Sequence, residues 1–309
     1  MGESTYILCP GQGAQAVGMG RDFDASSAVA RETFERANSI LGFDLASICF
    51  NGPEERLNQT DISQPAIFVT GIAAYRAAQQ AGIIDPAAVS AYAGLSLGEY
   101  TALHLAGVFS FEEGLKLVAA RGRYMQQAAV ASPSGMVAIM GADQAAVEQL
   151  CHEEAKGQVL VAANFNAPGQ VVVSGAIEAC ERVPKAAEAK GFKAAALKVA
   201  GAFHSPLMLS AADQMAHELA KVHFQPSKTP VYSNVTADLH GDADSIRRLL
   251  VDQIVKPVCW EQIMVKLVAQ DGARFVELAP GRTLAGLARR INRRLPIESL
   301  ATTEALSAA

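Results

Sequence analysis

The chain has 309 residues, half of them hydrophobic and 18% charged, with a formal net charge of −5 and a pI near 5.7. Such a chain buries a substantial core, as one large domain or one large and one small. Its acidity and its aromatic content of only 6% exclude a nucleic-acid binder, which needs a basic face or a stacking surface. The cysteines Cys9, Cys49, Cys151, Cys180 and Cys259 stand singly, with no C-x-x-C spacing, so neither a disulfide framework nor a metal site is expected. No basic-flanked apolar leader is visible, and no apolar run approaches the roughly 18 residues of a membrane span. A cytoplasmic protein is expected.

The first apolar run, Tyr6-Ile7-Leu8-Cys9, leads into Gly11-Gln12-Gly13-Ala14-Gln15-Ala16, a match to the G-x-G-x-x-G/A turn of dinucleotide-binding loops. That reading needs an acidic residue at the end of a second strand, roughly 20 residues on. Glu32 and Glu35 lie near that distance but inside a helical pattern over residues 26–41, and Pro10 separates strand from glycines. The turn is therefore expected to serve another purpose. A second helix is expected over residues 64–81, with Pro65 in its first turn. A strand over Val89–Ala93 then runs through a tight turn into a helix over Glu99–Ala106, and the capping box Ser110-Phe111-Glu112-Glu113 opens a helix to Ala129.

Residues 132–199 change character. The order is strand Met136–Met140, helix Gln144–Ala155, strands Val159–Asn164 and Gln170–Ser174, helix Ile177–Lys190 and strand Lys193–Val199. This β-α-β-β-α-β order is that of a ferredoxin-like module. It interrupts an otherwise continuous α/β alternation, so it reads as an insertion. Residues 245–295 return to helix, strand and helix, with "RFVELAP" as the strand.

Gly94-Leu95-Ser96-Leu97-Gly98 is a G-x-S-x-G pattern in the strand–turn–helix context of a nucleophile elbow. Small flanking residues let the backbone fold sharply, so the hydroxyl projects at a helix N-terminus where unpaired N–H groups favour negative charge. The bland alternative is a serine that only caps the helix; the preceding strand favours the nucleophile. Six histidines offer a base. His152, His217, His223 and His240 fall in polar settings and are expected to be solvated, while His104, in the elbow helix, is expected to pack against the sheet. His204 stands in "KVAGAFHSPLM", where a strand ends at Gly201 and a loop opens before Pro206, a place where α/β enzymes put catalytic side chains. Arg121 stands in "LVAARGRYM", a segment otherwise apolar up to Gly122, and its bland reading is a surface arginine, like Arg123.

These residues carry a resemblance. The chain resembles the malonyl-CoA:acyl-carrier-protein transacylases, the acyltransferases of fatty-acid and polyketide synthesis. The matching pieces are "PGQGAQ" (10–15), "QPA" (64–66), "GLSLGEYTAL" (94–103), "ARGRYMQ" (120–126), "NAPGQVVVSG" (166–175), "GAFHSPLM" (201–208), "SNVTA" (233–237), "VKPVCW" (255–260) and "LAPGRTLAGL" (278–287), in the family's order. The resemblance implies an α/β-hydrolase-like large domain, residues 1–131 and 200–309, with a ferredoxin-like subdomain, 132–199, inserted. It implies that Ser96 is the nucleophile, His204 its general base and acid, and Gln253 the residue whose carbonyl orients His204 in place of a hydrolase Asp. It gives the Gly11-Gln12-Gly13 turn its purpose, since the backbone N–H groups of Gln12 and Leu97 would form the oxyanion hole. Arg121 would pair with the malonyl carboxylate, Gln64 would join the substrate site, and Phe203 would leave no room for an α-methyl branch. Leu95 stands where many members carry His.

The implied reaction moves malonyl from malonyl-CoA to the phosphopantetheine thiol of an acyl carrier protein through a malonyl-serine ester. The enzyme is expected to be a monomer needing neither cofactor nor metal. An acyl-thioester hydrolase using the same serine and histidine is the alternative; the lack of an orienting Asp and the presence of Arg121 speak against it. An acidic carrier would dock on a basic patch, with Arg289, Arg290, Arg293 and Arg294, or Lys190 and Lys193, as candidates.

Overall fold

A computed structural model describes residues 4–270 and 272–306. Among the described residues eight strands form: β1 (Ser4–Cys9), β2 (Val89–Gly94), β3 (Ser134–Met140), β4 (Leu160–Ala167), β5 (Gln170–Ala176), β6 (Lys193–Ala196), β7 (Ala273–Leu278) and β8 (Ile297–Leu300). They form two four-stranded sheets. One is parallel, in the order β2-β1-β7-β8, and the other is antiparallel, in the order β4-β5-β3-β6. The run "YILC" is buried on both faces because β1 is central and covered by helices above and below, as parallel strands are. A turn follows β1, and the next helix starts only at Arg21.

Two helices set the floor of the active-site region. The helix Thr60–Gln80 is apolar nearly all round and buried along most of its length, a core helix rather than a surface one. It begins four residues earlier than expected, so Pro65 sits in its second turn and takes no part in the first-turn exemption from N–H bonding. The helix Phe111–Ala131 starts at the expected capping box: Glu113 N–H donates to Ser110 Oγ (3.2 Å) and Ser110 N–H to the Glu113 carboxylate (2.9 Å). Where the two helices cross, Gly122 presents no side chain; a Cβ there would lie 2.5 Å from the Thr60 carbonyl oxygen. That close approach brings Arg121, one residue before Gly122, against Gln64.

The antiparallel sheet is backed by helices Gln144–Ala155 and Ile177–Ala189, which enclose a separate apolar cluster with Val137, Ile139, Leu150 and Val173. Its last strand, expected to run to Val199, stops at Ala196; residues 197–199 leave the ladder and line the cleft between the two sheets. Strand β8 lies beyond the expected helix–strand–helix pattern. Four residues, paired on one side only with β7, give too short a period-two signal to read. Among the described residues no helix is long and apolar enough to cross a membrane.

Candidate active site

The turn after β2 places Ser96 at φ 51°, in the left-handed region that non-glycine residues seldom occupy. Such a conformation costs about 1–3 kcal/mol and persists only where the surroundings enforce it. Here glycines enforce it. A Cβ on Gly94 would lie 1.9 Å from the Gly98 carbonyl carbon, and one on Gly98 would lie 2.1 Å from the Cys9 carbonyl oxygen. Helix Gly98–Leu105 is thereby pressed onto the end of β1. Asn234 completes the clamp, accepting from Ser96 N–H (2.6 Å) and donating to the Gly94 carbonyl (2.7 Å).

Ser96 Oγ lies 2.8 Å from His204 Nε2. His204, itself at φ 57°, follows the loop that leaves the antiparallel sheet, and its Nδ1 lies 2.6 Å from the backbone carbonyl of Gln253. The carbonyl can only accept, so Nδ1 carries the hydrogen and Nε2 is left as the acceptor facing the serine. Burial, then the nearby Arg121 cation, push the imidazole down to about 4, against the opposing effect of the Gln253 carbonyl. The ring is thus neutral and able to take a proton.

Arg121 is 1% exposed. Its guanidinium donates to Gln64 Oε1 (2.7 Å), Gln253 Oε1 (2.9 Å) and Ser96 Oγ (3.1 Å), and its Cζ stands 5.5 Å from the centre of the Tyr100 ring. Desolvation lowers its pKa, and Tyr100 and Glu99 offset that only in part. Every direct hydrogen-bond partner it has among the described residues is neutral, so the site presents a buried cation with no carboxylate in contact. Ser96, His204 and Arg121 share a cleft of about 310 Å³ with Gln12, Phe203 and Asn166. Gly11 lets the Gln12 loop come against the elbow, since a Cβ there would lie 2.3 Å from the Leu95 carbonyl oxygen. The backbone N–H groups of Gln12 and Leu97 have no partner among the described residues.

All eight residues singled out from the sequence therefore gather here: Ser96, His204, Gln253, Gln12, Leu97, Arg121, Phe203 and Gln64. Two histidines depart from expectation. His104 packs not on the sheet but among Phe68, Phe109 and Phe111, with Nδ1 3.0 Å from the Phe109 carbonyl. His240 is not solvated: its side chain is 1% exposed and Nε2 lies 2.6 Å from Glu99 Oε1. The loop bridging Tyr232 to Leu239 folds back and delivers the ring beneath the elbow helix. Sequence reasoning missed Asn234, Glu99 and His240 as a group. Their only signals were the polar Glu99 following an elbow glycine in an apolar helix and the short "SNVTA" stretch.

With this geometry in view, the comparisons with known proteins are specific. Residues 5–301 match the acyl transferase domain family. The chain is 42% identical over 304 residues to the malonyl CoA-acyl carrier protein transacylase of Escherichia coli strain K12, spanning 98% of this chain and 97% of that one. Its fold superposes on the solved malonyl CoA-acyl carrier protein transacylase of Coxiella burnetii with a TM-score of 0.94 at 39% identity, covering 99% and 96% of the two chains. It matches equally, at TM-score 0.94 and 37% identity over 99% and 98% of the chains, a malonyl-transacylase solved in complex with a type II PKS acyl-carrier protein. The chain belongs to the acyl transferase domain family, alongside the malonyl CoA-acyl carrier protein transacylases.

Proposed function

We propose that the protein transfers malonyl groups from malonyl-CoA to the phosphopantetheine thiol of an acyl carrier protein. The observation that carries this reading is Arg121, a buried cation 3.1 Å from the candidate nucleophile with only neutral partners. Acyl groups without a carboxylate have nothing to pair with it; a malonyl group does. In the first half-reaction the Ser96 hydroxyl passes its proton to His204 Nε2 as Oγ attacks the thioester carbonyl. The oxyanion is held by the N–H groups of Gln12 and Leu97. Collapse expels the CoA sulfur, which takes the proton from His204, and a malonyl-Ser96 ester remains. The carrier thiol then gives its proton to His204 and attacks the ester, and Ser96 Oγ leaves with that proton.

Gln253 acts through its backbone carbonyl, which fixes the His204 tautomer, and Phe203 closes the cleft beside the acyl α-carbon. The hydrolase alternative is disfavoured by the relatives, which are transacylases. The two sheets fit an α/β-hydrolase-like domain, residues 1–131 and 200–309, with a ferredoxin-like insertion, 132–199. The insertion is supported by the antiparallel order β4-β5-β3-β6, which places the first and third strands of the module at its centre. A cytoplasmic monomer completes the reading.

Intact mass spectrometry tests it. Malonyl-CoA should add one malonyl mass to the protein, and a holo carrier protein should then remove it. Ser96→Ala should take up none while keeping its fold. An adduct on that variant, or one mapped to a cysteine, would overturn the assignment.

A further inference from the structure

Behind the elbow lies a polar cluster that the chemistry above leaves unused. Glu99 is fully buried. Its Oε1 meets His240 Nε2 at 2.6 Å, and its Oε2 accepts from Asn234 N–H (3.1 Å) and from Gln253 Nε2 (2.7 Å). Gln253 Nε2 also donates to the Ser96 carbonyl (2.9 Å), and its Oε1 accepts from Arg121. The carboxylate can only accept and the guanidinium can only donate, so together they admit one orientation of the Gln253 amide. That amide stands as a neutral spacer between a buried anion and a buried cation. Direct contact of Glu99 with Arg121 would occupy the guanidinium; through the spacer it is balanced and held while its remaining N–H groups stay open.

We infer that Glu99 is a positioning residue that, by orienting the Gln253 side-chain amide, presents Arg121 to the carboxylate of the incoming acyl group. The inference rests on Arg121 as the carboxylate partner. It assigns Glu99 a role in substrate choice distinct from packing. Without that acceptor the NH₂ keeps only the Ser96 carbonyl, the amide is held less firmly, and the guanidinium that donates to its oxygen shifts with it. A carboxylated substrate feels that shift, and an acetyl group, which makes no bond to Arg121, feels it far less.

The test is the rate of Ser96 acylation by malonyl-CoA and by acetyl-CoA, followed by intact mass in single turnover. Glu99→Ala should lower the malonyl-to-acetyl ratio about tenfold or more, the effect expected for losing a hydrogen bond to a charged group. Glu99→Asp keeps the charge but falls one methylene short of Gln253, and should lower the ratio too. Glu99→Gln should restore it to within about threefold. Its oxygen can accept from Asn234 and Gln253, and its NH₂ can donate to His240 once that ring changes tautomer. Should Glu99→Ala fail to fold, Glu99→Asp and Glu99→Gln decide the question. Parallel loss for both substrates in Glu99→Asp, or a ratio lost equally in Glu99→Gln, overturns the inference. Arg121→Ala is run beside them: a ratio unchanged there refutes the carboxylate reading itself, whereas a collapsed ratio there upholds that reading and leaves the Glu99 variants to decide the role of Glu99 alone.

Discussion

In the proposed reaction His204 takes and returns the Ser96 proton, and its environment sets how that reaction depends on pH. Only the neutral ring can take the Ser96 proton, so acylation falls as pH drops through the histidine's titration. Burial, and secondarily Arg121, depress that titration to about 4. The pH profile of kcat/KM with acetyl-CoA should therefore stay flat on its acid side from neutrality to about pH 5, not break near the ordinary value of about 6.5. Arg121→Ala removes one of the two depressing causes and admits water, so its acid limb should move upward. A wild-type break near 6.5, or no movement in the variant, would contradict the placement of these groups. The Ser96–His204 pair was legible because each sits in a local pattern, an elbow and a strand-end loop. Gln253, Gln12 and Leu97 were reached only through family resemblance, since the roles proposed for them use backbone groups and a residue of any type supplies a carbonyl or an N–H. Asn234, Glu99 and His240 were illegible because their burial depends on a loop crossing under the elbow, a contact of residues 135–141 positions apart.

At the scale of elements, close backbone approach decides where the site is built. Gly98 separates the elbow helix from the end of β1, and the atoms its Cβ would meet, the carbonyls of Cys9 and Pro10, are backbone with no side chain to yield. Gly98→Ala should cost about 3 kcal/mol, the upper part of the usual overpacking range, and should abolish acylation by tilting the helix that follows the Ser96 turn. Gly286, in helix Thr283–Ile291, is the contrasting case: nothing lies within 4 Å of a Cβ there. Gly286→Ala should stabilise by about 0.5–1 kcal/mol through helix propensity and leave acylation unchanged. Urea denaturation and acylation on both variants check this, and a normal Gly98→Ala enzyme would refute it. Most elements were legible, because alternating apolar runs and amphipathic helices are local signals. Among those that were not are the helix start at Thr60, the early end of β6 and the existence of β8. Each is fixed by a neighbour: the crossing at Gly122, the departure of residues 197–199 to the cleft, and pairing with β7.

For the whole molecule, folding depresses the titration of two histidines, and the stability of the chain must then depend on pH. His104 and His204 are both held down to about 4, each chiefly by burial, while in the unfolded chain they titrate near the ordinary value of about 6.5. Between those two values the unfolded state binds the protons that the folded state refuses. The slope of unfolding free energy with pH is positive there, so stability falls as pH falls from about 6.5 towards 4 and levels off below. Near pH 5 the difference approaches two protons, a slope of about 2.5 kcal/mol per pH unit. Glu277 works the other way, because burial pushes its carboxyl up and the folded state protonates first. A comparison of variants removes that contribution. His104→Phe suits the seat among Phe68, Phe109 and Phe111 and leaves His204 alone. Its absolute stability shifts with the lost bond to the Phe109 carbonyl, but its slope between pH 6 and 5 should fall by about 1.3 kcal/mol per unit, one proton's share. Urea unfolding at several pH values measures both slopes, and equal slopes in the two proteins would mean that His104 keeps its ordinary titration inside the fold.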